Sequence, residues 1–483
     1  MNTPVDVRHA QLFLDDEIIE QQVRLRRIIH QPMKHFGNPV YTVGAPWEGT
    51  GVVYLGGVYV DPKDHLWKAW YVTLNPPAYP EIVFAVCMIV SEDGFHWRRP
   101  ELDVYRGHEG KWTNIVLDLG RAGRTTAPSV IYEPDDEEEP WTMFISLAWP
   151  AESTLYKGYF LKSADGVHWR WINERPNGIL HGFHDRTTAF RGPDPEFPYV
   201  LVGRGRDDIH RWGLQRVAHC QSANVERVKQ EEPIRVVVPD LEDDPAMQIY
   251  HAYGFPYEGI YVGMFQHYVE ATDPYGEMEL IVSRDSLTWK RIRPRRVFLP
   301  RSPGGEAVGA FDCQITDTAL SPPVRNYGPH LGFLGMDTLW FYYWGGQAMH
   351  GNRHLAWGRG IGLAQLRADG FCSLRAERFP GTLVTKPFTW SGGSLVVNAA
   401  CLGGTGNGTL RTEVLTEDLK PIPGLTRDDA DSLGNDGTRQ AVTWKKDPAA
   451  IERLKGQTIR LKFYLDDFDL YSFHACEPAS AAC

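Results

Sequence analysis

The sequence predicts an all-β chain, a five-bladed β-propeller over residues 1-385 followed by a C-terminal β-sandwich over residues 386-483. Three observations predict it. Ser91-Glu-Asp93-Gly94-Phe-His-Trp97 returns as Ser163-Ala-Asp165-Gly166-Val-His-Trp169, as Ser283-Arg-Asp285-Ser-Leu-Thr-Trp289, as the worn Ser222-Ala-Asn224-Val-Glu-Arg and as Arg367-Ala-Asp369-Gly370-Phe371. The copies start at 91, 163, 222, 283 and about 367, so one supersecondary unit of roughly 60 to 80 residues is used five times. The 47 glycines, 34 prolines, 16 Trp, 21 Tyr and 21 Phe favour short strands and tight turns over helices. Beyond about residue 385 the repeat stops and strict apolar-polar alternation takes over.

The repeated unit has a readable physics. Asp-Gly supplies a tight turn: Gly tolerates positive φ, and Asp bonds its own backbone. The Trp four residues after the Asp can lie back over that turn as an aromatic plug.

Taken in order, Leu12–Ile19 and Val23–Ile29 read as a strand pair ahead of the first blade. Part of 8–30 is expected to pair with blade 5 and close the ring. Blade 1 has strands near Val52–Val60, Trp67–Val72 and Val83–Val90, and blade 2 has Thr125–Tyr132, Trp141–Ile145 and Gly158–Ser163. Blade 3 has His184–Phe190, Tyr199–Arg204 and Gly213–Ser222; blade 4 has Gln248–Tyr253, Ile260–Tyr268 and Met278–Ser283. Blade 5 has Phe311–Thr316, Leu339–Trp344 and Gly360–Leu366. The sandwich strands are Ser394–Asn398, Gly408–Leu415, Gln440–Trp444, Gln457–Phe463 and Leu470–Phe473.

A net charge of −11 argues against nucleic acid or an anionic membrane as partner and favours a neutral ligand. Seven cysteines without short paired spacing predict free, reduced thiols, and with no apolar run long enough to span a bilayer the expected setting is cytoplasmic. No motif calls for a cofactor or a metal.

In a propeller the starts of innermost strands and the ends of second strands meet at one mouth. Aligning the units places there Glu48 or Tyr54, Arg124-Thr125, His184-Asp185, Gln248 and Tyr250, and Asp312 with Gln314. Second-strand ends add Arg204 and Arg206, His267 and Glu270, and Gln347 and His350. Cleaving an acetal needs one carboxyl group to protonate the leaving oxygen and a second to activate water or attack the anomeric carbon. Asp185, Asp312 and Glu48 are the candidate catalytic acids; His184, Arg204, Tyr250, His267, Glu270, Gln314 and His350 are the candidate substrate-binding groups. An Asp opening an inner strand can instead simply cap backbone amides. Arg204 is expected to keep Asp185 ionised, as suits a base or nucleophile. Asp312, beside Phe311 and Cys313, is expected to have its pKa raised as the acid, with Glu48 or Glu270 in reserve.

Asn38-Pro39 with Pro46-Trp47-Glu48, Ser91-Glu-Asp-Gly-Phe-His-Trp-Arg-Arg-Pro100, Gly360-Ile-Gly-Leu-Ala-Gln-Leu-Arg-Ala-Asp-Gly-Phe371 and Leu470-Tyr-Ser-Phe473 are similar to recurring phrases of bacterial proteins with an invertase-like N-terminal domain. The chain thereby resembles the five-bladed glycoside hydrolases of the invertase/levanase and arabinanase/β-xylosidase groups. The resemblance implies a glycosidase acting on an oligosaccharide or glycoside. The invertase group's Trp-x-Asn-Asp-Pro-like, Arg-Asp-Pro and Glu-Cys motifs are replaced here by Trp47-Glu-Gly-Thr, Thr125-Thr-Ala-Pro and His184-Asp185, so no catalytic residue carries over. An exo-acting hydrolase leads, followed by a phosphorylase of similar fold, with Arg204, Arg206 and His267 holding the anion. The third reading is a propeller that binds sugar without cutting it.

Overall fold

The computed structural model describes residues 5–49, 52–74, 76–120, 124–125, 128–149, 153, 155–174, 176–183, 186–209, 213–269, 277–302, 312, 314–318, 322–326, 337–346, 359–404 and 407–476. Five antiparallel sheets follow one another along the chain, each a meander of about four strands. Blade 1 is Val52–Val60, Trp67–Leu74, Phe84–Ser91 and Ile115–Asp118. Blade 2 begins with Arg124–Thr125 and Ser129–Tyr132, continues through Trp141–Ala148 and Tyr156–Ser163, and ends in Arg170–Trp171 and Ile179–Leu180. Blade 3 is Thr188–Arg191, Tyr199–Ile209, Gly213–Ala223 and Ile234–Val237. Blade 4 is Met247–Tyr257, Ile260–Val269 and Met278–Ser283, edged by Trp289–Arg291 and Val297–Leu299. Blade 5 is Gln314–Thr318 with Val324–Asn326, then Thr338–Gly346 and Gly360–Arg367.

Middle strands such as Trp67–Leu74 and Phe84–Ser91 read as near-continuous apolar runs because neighbouring blades cover both their faces. An aromatic pair marks every interface around the ring. Centroid separations are 5.2 Å for Trp70 and Trp141, 4.6 Å for Phe160 and Tyr199, 5.7 Å for Phe190 and Tyr261, 5.6 Å for Phe298 and Phe341, and 5.1 Å for Trp340 and Trp67. The last pair joins blade 5 to blade 1, so the ring closes.

The repeated corners follow one hydrogen-bonding scheme. Asp93 Oδ1 accepts the amides of Phe95 and His96 at 2.8 Å, Gly94 sits at φ 78°, and Trp97 returns its indole N–H to the Gly94 carbonyl at 3.0 Å. Asp165, Gly166 and Trp169 repeat these contacts, and Ser286 takes the positive-φ position in the copy carrying Asp285 and Trp289.

The ring is completed differently from the expectation. Residues 8–30 do not pair with blade 5: Gln11–Leu12 pairs with Phe468–Cys476, Ile19–Val23 with Gly381–Thr385 and Arg26–Ile29 with Cys372–Ala376. The outer edge of blade 5 is supplied instead by Met33–Lys34 and Tyr41–Thr42, both paired with Gly360–Arg367. Cys372–Ala376 and Gly381–Thr385, assigned to the propeller by the boundary at 385, pair within the C-terminal sheets. The reason is apolar burial: Leu12, Phe13, Leu374 and Leu383 share one core with Leu395, Leu461, Phe463 and Phe473.

The C-terminal sheets stack face to face. One carries Ser394–Cys401, Gly437–Ala441 and Phe468–Cys476, the other Phe388–Thr389, Thr409–Thr416 and Thr458–Asp466, with Phe463 and Phe473 meeting across them at 5.5 Å. Trp390 and Trp444 are fully buried between them.

Cys87, Cys220, Cys372 and Cys401 are free thiols, but Cys476 is disulfide-bonded. Its partner lies outside the described residues, and the expectation that every thiol is reduced is corrected at this position. Sequence spacing misled because the pairing of two sulfurs depends on their distance in space. Among the described residues no helix is long and apolar enough to cross a membrane.

Candidate functional site

The described part of the mouth is richest where blades 3 and 4 meet. Thr188–Arg191 pairs antiparallel with Tyr199–Ile209, so Arg186 and Arg204 fall at the same end of blade 3, and Met247–Tyr257 opens at the matching end of blade 4. The Arg204 guanidinium lies 4.6 Å from the Tyr250 ring centroid and the Arg186 guanidinium 5.1 Å from it. Tyr250 packs on Tyr268 at 5.1 Å, and the Arg216 guanidinium lies 4.9 Å from Tyr268. Arg216 also donates to Gln248 Oε1 from its amide and its guanidinium, at 3.2 and 3.1 Å.

Two features mark this cluster as more than packing. Arg186 is 5 % exposed and sits at φ 67°, a left-handed conformation rare for a long side chain and held where surroundings over-determine it. Beside it, burial, reinforced by the Arg186 and Arg204 charges, holds the His251 imidazole well below its ordinary pKa, so the ring is neutral.

The candidate acids fall into different surroundings. Glu48 ends the 3₁₀ turn Pro46–Glu48 and is 0 % exposed. Its Oε1 accepts the hydroxyls of Tyr41 and Tyr71, while Oε2 accepts the amides of Gly44 at 2.8 Å and Ala45 at 2.7 Å and the Arg99 guanidinium at 3.3 Å. Five donors on a sealed carboxylate leave no lone pair directed at a substrate. Glu48 therefore organises the entry to blade 1.

Asp312 lies against the closing strand. Lys34 Nζ stands 2.5 Å from Oδ2, Tyr343 donates to Oδ2 at 2.8 Å, and the Ser302 hydroxyl donates to Oδ1. Burial pushes its pKa up, but Lys34 and the two hydroxyls outweigh burial and hold it below the ordinary carboxylate value. The expected raised pKa is thus corrected: Phe311 and Cys313 adjoin Asp312 in sequence, but the groups that set its charge come from Lys34, Ser302 and Tyr343. Lys34 belongs to the outermost strand of the blade.

His267 pairs across the face of blade 4 with Glu279 at 3.2 Å, and Glu279 is held in turn by Arg291 through two bonds of 2.9 Å. That chain runs outward along the sheet, away from Tyr250 and Tyr268, because adjacent residues of a strand face opposite ways. His184, Asp185, Glu270, Gln347 and His350 lie outside the described residues, as do Arg206, Gln314 and Tyr54 in their side chains. Sequence alignment missed Arg186, Arg216 and Tyr268. The signal for Arg186 was available, since it directly follows His184-Asp185. Among the described residues no group of three or more His, Cys, Asp or Glu is placed to hold a metal ion.

No family model and no curated protein matches the chain. The solved structures that it is similar to include the endo-arabinase from Bacteroides thetaiotaomicron, at 9% identity and TM-score 0.40 over 70% of this chain and 97% of that one. The α-L-arabinofuranosidase from Podospora anserina, solved with cellotriose, has 10% identity and TM-score 0.39 over 70% and 97%. A family 43 arabinoxylan arabinofuranohydrolase from Bacillus subtilis, solved with cellotetraose, has 12% identity and TM-score 0.36 over 93% and 99%. By its own strand pairing the chain is a five-bladed β-propeller bearing a β-sandwich, and these solved proteins that it is similar to are glycoside hydrolases.

Proposed function

We propose that the chain is an exo-acting glycoside hydrolase that cleaves an oligosaccharide or glycoside with a carboxylate pair, Asp185 and Glu270, at the mouth of the propeller. The observation that carries this reading is the gathering of Arg186 and Arg204 over Tyr250, with Tyr268 beneath. Asp185 directly precedes Arg186, and Glu270 directly follows Ile260–Val269, the strand that carries Tyr268. A carboxylate paired with a guanidinium stays ionised, and on this reading Asp185, the sequence neighbour of Arg186, acts as base or nucleophile, with Glu270 as the acid and Asp312 and Glu48 as the other candidates. Arg204, only half-buried, suits donation to a sugar hydroxyl, while the buried Tyr250, Tyr268 and Arg186 fix the position of its guanidinium.

The test is product release from a panel of oligosaccharides and aryl glycosides. Asp185→Asn and Glu270→Gln are each expected to lower kcat at least a hundredfold while ligand affinity stays within about tenfold, because the charge is needed mainly in the transition state. An Asp185→Asn enzyme keeping more than about a tenth of wild-type kcat overturns the assignment.

A second reading, phosphorolysis, is favoured by one observation: Arg186, Arg204 and Arg216 bring three guanidiniums to one end of blades 3 and 4. Product release that requires inorganic phosphate and yields a sugar phosphate selects it.

A further inference from the structure

A cavity of about 520 Å³ opens on blade 1, away from the blade 3 and blade 4 cluster. It lies between the turn Pro46–Glu48, the connection holding Tyr79, and the hairpin Leu102–Arg106 and Trp112–Thr113. None of its lining residues belongs to an innermost strand; Asn114 adjoins Ile115–Asp118, the outermost strand of the blade. We propose that this pocket is a second carbohydrate-binding site, taking a neutral glycosyl unit and holding it without cleaving it.

Three observations carry the proposal. The walls are aromatic and fixed. Trp47 and Tyr79 meet edge to face at 6.2 Å, the Trp47 N–H is held by Asn114 Oδ1 at 2.7 Å, and the Arg106 guanidinium covers one face of Trp112 at 4.2 Å from its centroid. Flat rings set at an angle suit the apolar face of a pyranose or furanose.

The hairpin that forms one side is anchored on the same wall. His108 stacks on Tyr79 at 4.2 Å, its amide donates to the Tyr79 hydroxyl at 3.2 Å, and its ring pairs with Glu81 at 2.7 Å. Gly107 is required there, since a Cβ would stand 2.6 Å from the Tyr79 hydroxyl. The pocket is thus built before any ligand arrives, which lowers the ordering cost of binding.

The polar groups are balanced. Arg99 and Lys111 supply donors, Glu101 and Glu109 supply acceptors, and the four formal charges cancel. A hydroxyl both donates and accepts, so a polyol is met by a wall of mixed polarity, whereas an ionic ligand calls for an excess of one sign.

The experiment titrates three proteins by calorimetry and tryptophan fluorescence: wild type, the Asp185→Asn/Glu270→Gln double variant, and Trp112→Ala. The probes are four neutral tetraoses, built of glucose, xylose, arabinose and galactose, with tetragalacturonate as the charged counterpart. At least one neutral tetraose is expected to bind the double variant within threefold of wild type. Its affinity for Trp112→Ala should fall at least tenfold, and Glu101→Ala, a change on the exposed rim, should weaken it in the same direction. The proposal is overturned if no neutral tetraose binds the double variant, if Trp112→Ala and Glu101→Ala both bind as wild type does, or if tetragalacturonate binds more tightly than every neutral probe. Because binding is read on the Asp185→Asn/Glu270→Gln variant, the outcome is separate from whether the proposed hydrolysis occurs.

Discussion

The indole N–H of Trp70, in the second strand of blade 1, donates at 2.9 Å to the carbonyl of Gly166, the glycine of the blade 2 corner. Tyr342 of blade 5 does the same to Gly94 of blade 1 at 2.8 Å, and Tyr257 of blade 4 donates to Asp369 of the fifth corner at 2.6 Å. The corner that turns one blade is thus also the acceptor that locks the preceding one.

Two substitutions read the strength of that lock. Trp70→Phe keeps most of the ring and removes one of the two indole donors to the Gly166 carbonyl, which Trp169 still holds, at a cost of about 0.5–1.5 kcal/mol. Gly166→Ala should cost at least as much: its φ is 76°, and a Cβ would stand 2.8 Å from the Trp70 ring. Denaturant unfolding of both variants checks this, and a change under 0.5 kcal/mol in each refutes the lock.

Glu48→Gln should destabilise the fold by roughly 2–4 kcal/mol, because the amide presents donors to a cage already made of donors. Turnover per folded molecule should stay within about threefold. A variant with wild-type melting and lost turnover would restore Glu48 to the chemistry.

Asp312 has a folded pKa below its unfolded value of 3.8. Its contribution is therefore full at neutral pH and is lost as the pH falls through the folded value. Asp312→Asn should lower the Tm at pH 7, the gap to wild type closing in melts taken at successively lower pH below the unfolded value of 3.8.

His181 titrates in a different window. Burial pushes its pKa from 6.5 down to about 4, with Ser146 3.1 Å away and Phe183 stacked on the ring. The fold favours the neutral imidazole, so this stabilisation is complete above about pH 6.5 and is lost as the pH falls toward 4, up to about 3 kcal/mol. Stability measured from pH 7 to 4 should fall less steeply in His181→Gln than in wild type.

The corners were legible because everything they need is local: an Asp, a residue at positive φ and a Trp within seven positions. The blades were legible from their buried middle strands. The closing strands were not, since Met33–Lys34 and Tyr41–Thr42 are two residues each and carry no period to read. Strand character in 8–30 was visible, but alternation does not say which sheet a strand joins. The same limit applies to the site. The sequence neighbours of Asp312 are apolar, while Lys34 comes from 278 positions away. Arg204 and Tyr250 could be placed at one mouth by aligning blades, whereas the sealed cage around Glu48 depends on Tyr41, Tyr71 and Arg99, which no alignment of blades brings together.

The pairing of Gln11–Leu12 with Phe468–Cys476 has a consequence for the newborn polypeptide. On the ribosome the leading segment emerges long before its partner strand is synthesised, so it must wait, apolar and unpaired, through the making of all five blades. Such long-range closure slows folding and prolongs exposure to aggregation. A chain lacking Phe468–Cys476 would leave Gln11–Leu12 without a partner strand, so residues made late act as a checkpoint on residues made early.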